Sequence, residues 1–378
     1  MKENTGNRIC ICGLIFDVEC DLPFLNPFIC HSPEKSDGRI LFCHIPLLNE
    51  KCGLVAQHDD VDVYRSADGT WIYVSPVCKD FVQVGLSADY RDIIWYIPVC
   101  RDESVLYHIL RNLLRMAFET VFSVRSRVSL HSACIDVQGE AVAFTGVSGL
   151  GKSTRASAWI DALGAEFISG DRPSVSFFDG AATAYGVPWD GKEGIYRNTD
   201  RKLKAILEVR RSDSVFFRRL SPEQATKILM KQVFIPMWDT SAATQVIMTA
   251  KKLAAQVPVY RFFCGPEVRD AEEAYGILFN NPEKILEVAE DMKIKEGFAL
   301  RKVADEFIVM PTGSNIAKFD GAIALNEVSA FIFEKLMNPL SKEDLLTAVL
   351  DEYDVDRETA AKDIDSIVAK FSEMGILG

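Results

Sequence analysis

Residues 141–154 read AVAFTGVSGLGKST. A glycine, four residues, then glycine-lysine-serine is the spacing of a loop that cradles phosphate. Gly146, Gly149 and Gly151 admit backbone conformations that a side chain would block. N–H groups in such a loop, and at the helix start behind it, point at anionic oxygens. Lys152 has the reach for β- and γ-phosphates, and the Ser153 hydroxyl suits Mg²⁺. Ser148 and Thr154 complete the expected lining. The ligands implied are ATP and Mg²⁺. No nucleophile–base pair of the serine-hydrolase kind is visible.

That chemistry needs a strand before the loop and a helix after it. The apolar run 141–144 supplies the first, and residues 153–163, stopped by Gly164, supply the second. Residues 128–137 form a further strand, turned by Gln138-Gly139-Glu140, so the strand before the loop belongs to a hairpin within a mixed sheet. Strands are also expected near 167–168, 175–178, 204–209 and 257–263. Helices are expected at 222–231, capped by Ser221 with Gln224, and at 269–278.

Composition frames these elements. The chain has 378 residues, 48% apolar and 25% charged, which suits a globular protein of two or three domains. A net charge of −12 argues against nonspecific nucleic-acid binding. No apolar run is long enough for a membrane span and the first residues lack a secretory pattern, so a cytoplasmic protein with no membrane partner is expected. The ten cysteines include no C-x-x-C pair and read as free thiols.

Four segments are expected. Residues 1–104 are β-rich, with runs at 8–18, 39–44, 61–65, 70–74, 81–84 and 92–99. Residues 105–283 carry the loop and open on a helix at 105–122. Residues 284–296 are a charged helical linker. Residues 297–378 form a small domain with strands near 298–303, 307–310 and 315–319 and three helices. Ser341 with Asp344 caps the second helix, and the third starts near Arg357.

Residues 125–280 resemble the catalytic domain of HPr serine kinase/phosphorylase, whose fold resembles ATP-dependent phosphoenolpyruvate carboxykinase. The likeness rests on Leu130-His131-Ser132-Ala133, on the loop, and on Ile168-Ser169-Gly170-Asp171. It implies that Asp171 is base and acid in phosphoryl transfer, that His131 lies in the active site, and that Lys152 takes part. The family carries two adjacent acids, whereas Arg172 stands at the second position. That departure bears on metal coordination, reverse phosphorolysis and an HPr substrate, which the resemblance alone does not carry over. The stretch 186–193, GVPWDGKE, resembles the PWxGKE segment of HPr-kinase-like proteins from peptide-modification clusters. Glu193 is then a second Mg²⁺ ligand and Lys192 a phosphate contact, or the segment is a turn packed by Trp189.

Residues 297–378 are similar to PqqD, a winged-helix family that recognises leader peptides of modified ribosomal peptides. The similarity rests on Phe298-Ala299-Leu300-Arg301, Glu306-Phe307-Ile308-Val309, Ala324-Leu325-Asn326-Glu327 and Glu352-Tyr353-Asp354-Val355. It implies that a peptide joins the sheet edge at Ile316, Lys318 and Phe319 and packs against Ile364, Ile367 and Phe371. The fold class expected is therefore α/β with α+β character: a mixed-sheet phosphate-loop kinase domain, a β-rich N-terminal region and a C-terminal winged helix.

The function these readings imply is phosphorylation of a Ser/Thr hydroxyl on a precursor peptide or protein. A peptide-modifying enzyme partner and a homo-oligomer are compatible with it, and nucleic acid is not expected. A small-molecule kinase, of free serine for example, and a nucleotide-regulated leader-binding adaptor remain the alternatives.

Overall fold

The computed structural model describes residues 7–19, 22–58, 60–97, 103–189, 196–287, 291–315 and 322–378. The chain divides into two compact units, Met1–Glu287 and Val288–Gly378.

The first unit holds two nine-stranded sheets. The N-terminal sheet has the spatial order Ile29–Cys30, Asn7–Ile11, Leu14–Val18, Gly38–Cys43, Asp92–Tyr96, Gln83–Leu86, Trp71–Val74, Val61–Arg65, Gly53–His58. The expected run 8–18 is two strands, folded at Cys12 and Gly13, which both take positive φ. The helix Glu103–Val124 packs on this sheet: Leu110, Leu113, Leu114, Ala117, Phe118, Val121 and Phe122 share a core with Phe16, Val63, Tyr73, Val84 and Trp95. Phe234, Trp238 and Trp189 complete that core. A boundary at residue 104 therefore cuts through one hydrophobic core. Polar ties reinforce it. The Tyr90 hydroxyl donates to Asp239 at 2.6 Å, and Arg127 Nε donates to the Cys12 carbonyl at 2.8 Å.

The second sheet runs Val128–Ser129, Ser174–Phe178, Ala181–Tyr185, Asp200–Arg211, Glu140–Thr145, Ser132–Val137, Glu166–Ser169. Val259–Cys264 also pairs with Asp200–Arg211 and carries Phe216–Arg219 on its far side. The sheet is mixed, as the hairpin required. Ser132–Val137 and Glu140–Thr145 are antiparallel around Gln138 and Gly139, both at positive φ, while Glu140–Thr145 runs parallel to Asp200–Arg211. One face packs the loop helix Lys152–Leu163 through Ala156 and Trp159 onto Phe144, Leu207 and Phe262. The other face packs Pro222–Gln232 and Thr240–Gln256 onto Ala143, Ile206 and Val259. The Ser221/Gln224 capping box forms.

The second unit has an antiparallel sheet of Phe298–Val303, Glu306–Pro311 and Ile323–Leu325, then helices Glu327–Leu336, Lys342–Glu352 and Arg357–Glu373. Asn326, Ser341 and Asp356 cap them. The third described strand is Ile323–Leu325, after a short helical turn at Gly313–Asn315; the strand expected at 315–319 lies, from residue 316 on, outside the described residues. The expected linker is not one helix: Pro282–Lys284 is a single 3₁₀ turn, and Asp291–Met292 pairs with Leu340–Ser341. Its charge run had suggested a solvated helix, but Met292 and Ile294 turn into the second unit's core. The described cysteines are free. Among the described residues no helix is long and apolar enough to cross a membrane.

Phe371 is buried against Phe333, ring centroids 5.9 Å apart at 86°. Phe371→Ala removes an edge-to-face pair and leaves a cavity, at a cost of about 3–5 kcal/mol. Amide exchange within the second unit should accelerate accordingly, and unchanged protection there would contradict this packing.

Candidate functional site

The loop between Thr145 and Lys152 is built on left-handed glycines. Gly146, Gly149 and Gly151 have φ of 139°, 84° and 81°. Gly151 is also pinned sterically, because a Cβ there would fall 2.3 Å from Arg155 Nη1. Gly151 caps the helix with no side-chain hydrogen bond, so the first-turn N–H groups stay open to a ligand. Gly164 ends the helix at φ 65°, its N–H donating to the Ile160 carbonyl. Ser148 and Thr154 are exposed. The Ser153 hydroxyl makes no hydrogen bond among the described residues.

Arg155 holds the loop in place. Its side chain is buried, and its guanidinium donates to the carbonyls of Leu150 (2.8 Å) and Cys264 (3.2 Å). It thus ties the loop to the end of Val259–Cys264. Lys152 Nζ donates to the Gly146 carbonyl at 3.1 Å, and Arg211 reaches the Gly149 carbonyl at 3.3 Å.

His131 and Asp171 converge on the same end of the sheet. The strand carrying His131 breaks between Val128–Ser129 and Ser132–Val137. The His131 N–H donates to the Gln232 carbonyl at 2.8 Å, and its carbonyl accepts from Thr145 Oγ1 at 2.9 Å. Asp171 follows Glu166–Ser169, its carbonyl held by the Ser169 hydroxyl at 2.6 Å. His131 Nε2 lies 3.9 Å from Asp171 Oδ1, and Arg172 Nε lies 4.0 Å from Asp171 Oδ2.

The charges in this corner act on one another. Partial burial lowers the His131 pKa below its ordinary value; Lys152 and Arg172 lower it further, and Asp171 opposes them. Partial burial also lowers Lys152, against Asp171 and with Arg172. His131 is therefore neutral at pH 7 and free to accept a proton or a hydrogen bond.

A second charged group stands beside the loop. Glu208 and Arg261 are both buried, with Arg261 Nε 3.0 Å from Glu208 Oε2 and Arg210 Nη2 2.7 Å from Glu208 Oε1. Glu208 lies opposite Thr145, the last strand residue before the loop. Sequence reading missed this group and Arg155. The signals were an acid inside the apolar run AILEV, a base inside VYRFF, and an arginine on the buried stripe of the loop helix. Around the loop the cations Lys152, Arg155, Arg172, Arg210, Arg211 and Arg261 outnumber the acids Asp171, Glu208, Glu267 and Asp270, in a chain of net charge −12. Such a local reversal of sign suits a polyanionic ligand.

Other expected residues fall elsewhere. Lys192 and Glu193 lie outside the described residues, as do Ile316, Lys318 and Phe319. Trp189 is buried against Phe118 and Phe122, so the tryptophan of that segment is a core residue. Ile364, Ile367 and Phe371 are buried in the core of the second unit. The apolar stripe of the last helix thus packs within the unit. Ile364 borders an apolar cavity of about 220 Å³ shared with Val328, Val349 and Tyr353.

Among the described residues no three His, Cys, Asp or Glu side chains cluster to hold a metal. Mg²⁺ bound through nucleotide phosphates needs only one or two protein oxygens beside its waters. The unspent Ser153 hydroxyl fits that donor set.

Residues 306–377 match the family model of coenzyme PQQ synthesis protein D (PqqD). No curated protein matches the chain. Among solved structures, TbiB1 in complex with the TbiA(beta) leader peptide is 21% identical, with 22% of this chain and 93% of that chain covered and a TM-score of 0.20. Lasso peptide synthetase B1 complexed with the leader peptide is 21% identical, with 23% and 96% covered and a TM-score of 0.20. The Hpr(Ser) kinase/phosphatase from Coxiella burnetii is 12% identical, with 41% and 91% covered and a TM-score of 0.26.

The electrostatics predict the His131 titration. Its NMR midpoint should lie below 6.5. Removing a neighbouring cation stabilises imidazolium, so Arg172→Gly should raise the midpoint, and Asp171→Asn should lower it further. Midpoints that do not respond to either change would separate His131 from this charge cluster.

The C-terminal unit thus matches the PqqD family model over residues 306–377, in one chain with a mixed α/β unit that has a glycine-rich, cation-lined loop.

Proposed function

We propose that this chain is an ATP- and Mg²⁺-dependent phosphotransferase acting on a serine or threonine hydroxyl of a peptide or protein. The observation that carries this reading is the convergence of Lys152, His131 and Asp171 at one end of the second sheet, beside a glycine-rich loop with open helix N–H groups. Phosphoryl transfer asks a protein mainly for positioning and charge neutralisation, and these groups supply both.

In this reading the loop N–H groups and Lys152 hold the β- and γ-phosphates. Ser153 orients Mg²⁺, which neutralises phosphate charge when bound. The acceptor oxygen forms a bond to the γ-phosphorus as the bond to the β,γ-bridging oxygen breaks and ADP leaves. The acceptor proton passes to Asp171, with neutral His131 beside it. The PqqD match over residues 306–377 supports a leader or precursor peptide as the captured substrate.

The test is incubation with MgATP and candidate precursor peptides, read by mass spectrometry. A gain of one phosphate is expected. Asp171→Asn should lower turnover by about 10²-fold or more, and Lys152→Ala should weaken nucleotide binding. Phosphorylation of free serine with none of peptide would favour the small-molecule reading. One observation favours the adaptor reading: Arg172 occupies the position of the second acid. Peptide binding without ATP turnover would establish that alternative.

A further inference from the structure

Arg172 is the residue of this corner that the proposed reaction leaves without a task. It follows Asp171 directly and takes φ 51°, a left-handed conformation that costs a non-glycine side chain energy. Pro173 and the Ser169 contact to the Asp171 carbonyl fix the turn, and the Pro173 carbonyl accepts from the Leu130 N–H at 3.0 Å. The Arg172 side chain is only 24% exposed. Its ion-pair contact among the described residues is to Asp171 Oδ2 at 4.0 Å, beyond hydrogen-bond reach. A mostly buried guanidinium thus lies beside the Asp171 carboxylate and makes no hydrogen bond among the described residues. A guanidinium cannot ligate a metal, but its planar fork matches two oxygens of a phosphoryl group.

We infer that Arg172 binds the non-bridging oxygens of the γ-phosphoryl group. It supplies from within the chain the positive charge that a second acid would otherwise recruit as metal. This inference rests on the phosphotransferase reading and adds a further catalytic residue to it. The arginine gives and takes no proton. Its charge offsets negative charge on the transferring group while Asp171, on its other side, receives the acceptor proton. Because Arg172 and Lys152 approach Asp171 from different chain segments, the γ-phosphoryl is gripped from both sides, whereas the β-phosphate is served by the loop and Lys152 alone.

That asymmetry makes a binding test possible without any acceptor. The affinities of ADP and of the non-hydrolysable β,γ-imido analogue of ATP, each with Mg²⁺, are measured by calorimetry for the wild type, Arg172→Gly and Arg172→Lys. Glycine suits a positive φ, so the first variant removes the charge while relieving the backbone. Its melting temperature should not fall. The wild type should prefer the triphosphate analogue. Arg172→Gly should weaken the analogue about tenfold or more, as expected for a charge-assisted contact, and leave ADP within about twofold by the same measure. Arg172→Lys should recover part of the preference. An unchanged preference, or equal weakening of both nucleotides, would overturn the assignment of Arg172 alone. Failure of the wild type to bind either nucleotide would overturn the phosphotransferase reading and this assignment together.

Discussion

The candidate site depends on one buried guanidinium. Arg155 bonds to the carbonyl of Leu150 inside the phosphate loop and to that of Cys264 at the end of a neighbouring strand. Carbonyls in a left-handed glycine turn have no helix or sheet partner to satisfy them, and a buried one without a partner is costly. By taking these acceptors, Arg155 fixes the loop relative to the sheet. Gly151 and Arg155 therefore constrain each other: the glycine leaves room for the arginine, and the arginine holds the glycine's turn. The positions of Lys152 and Ser153 follow, since both begin the helix that this turn launches.

The second constraint is electrostatic. Glu208 is buried between Arg210 and Arg261, at the point where the strand beside the loop strand reaches Thr145. A buried carboxylate flanked by two guanidiniums keeps a positive balance while avoiding unpaired charge in the interior. Farther along the same edge, Asp171 sits among His131, Lys152 and Arg172. Each acid is thus outnumbered by its neighbours, and the corner stays cationic although the surface as a whole is acidic.

Much of this was legible in the sequence. The loop and its flanking strand and helix follow from glycine spacing and an apolar run, and the hairpin turn at Gln138 and Gly139 announced the mixed sheet. The convergence of His131 with Asp171 came from resemblance, because no local rule joins residues forty positions apart. The helix Thr240–Gln256 was missed despite its Asp239 cap, as its apolar stripe of Val246, Ala250 and Leu253 is thin and alanine-rich. The strand Gly53–His58 was missed because an exposed edge strand shows no clean alternation. Periodicity reveals that Ile364, Ile367 and Phe371 share a face, but not whether that face meets a partner or the protein's own core.

The contact between Lys152 and the Gly146 carbonyl has a thermodynamic consequence. The ammonium is already parked over the turn, so an arriving phosphate replaces one oxygen acceptor by another. Little chain freedom then remains to be lost on association, and recognition should resemble a partner exchange more than the freezing of a loose segment.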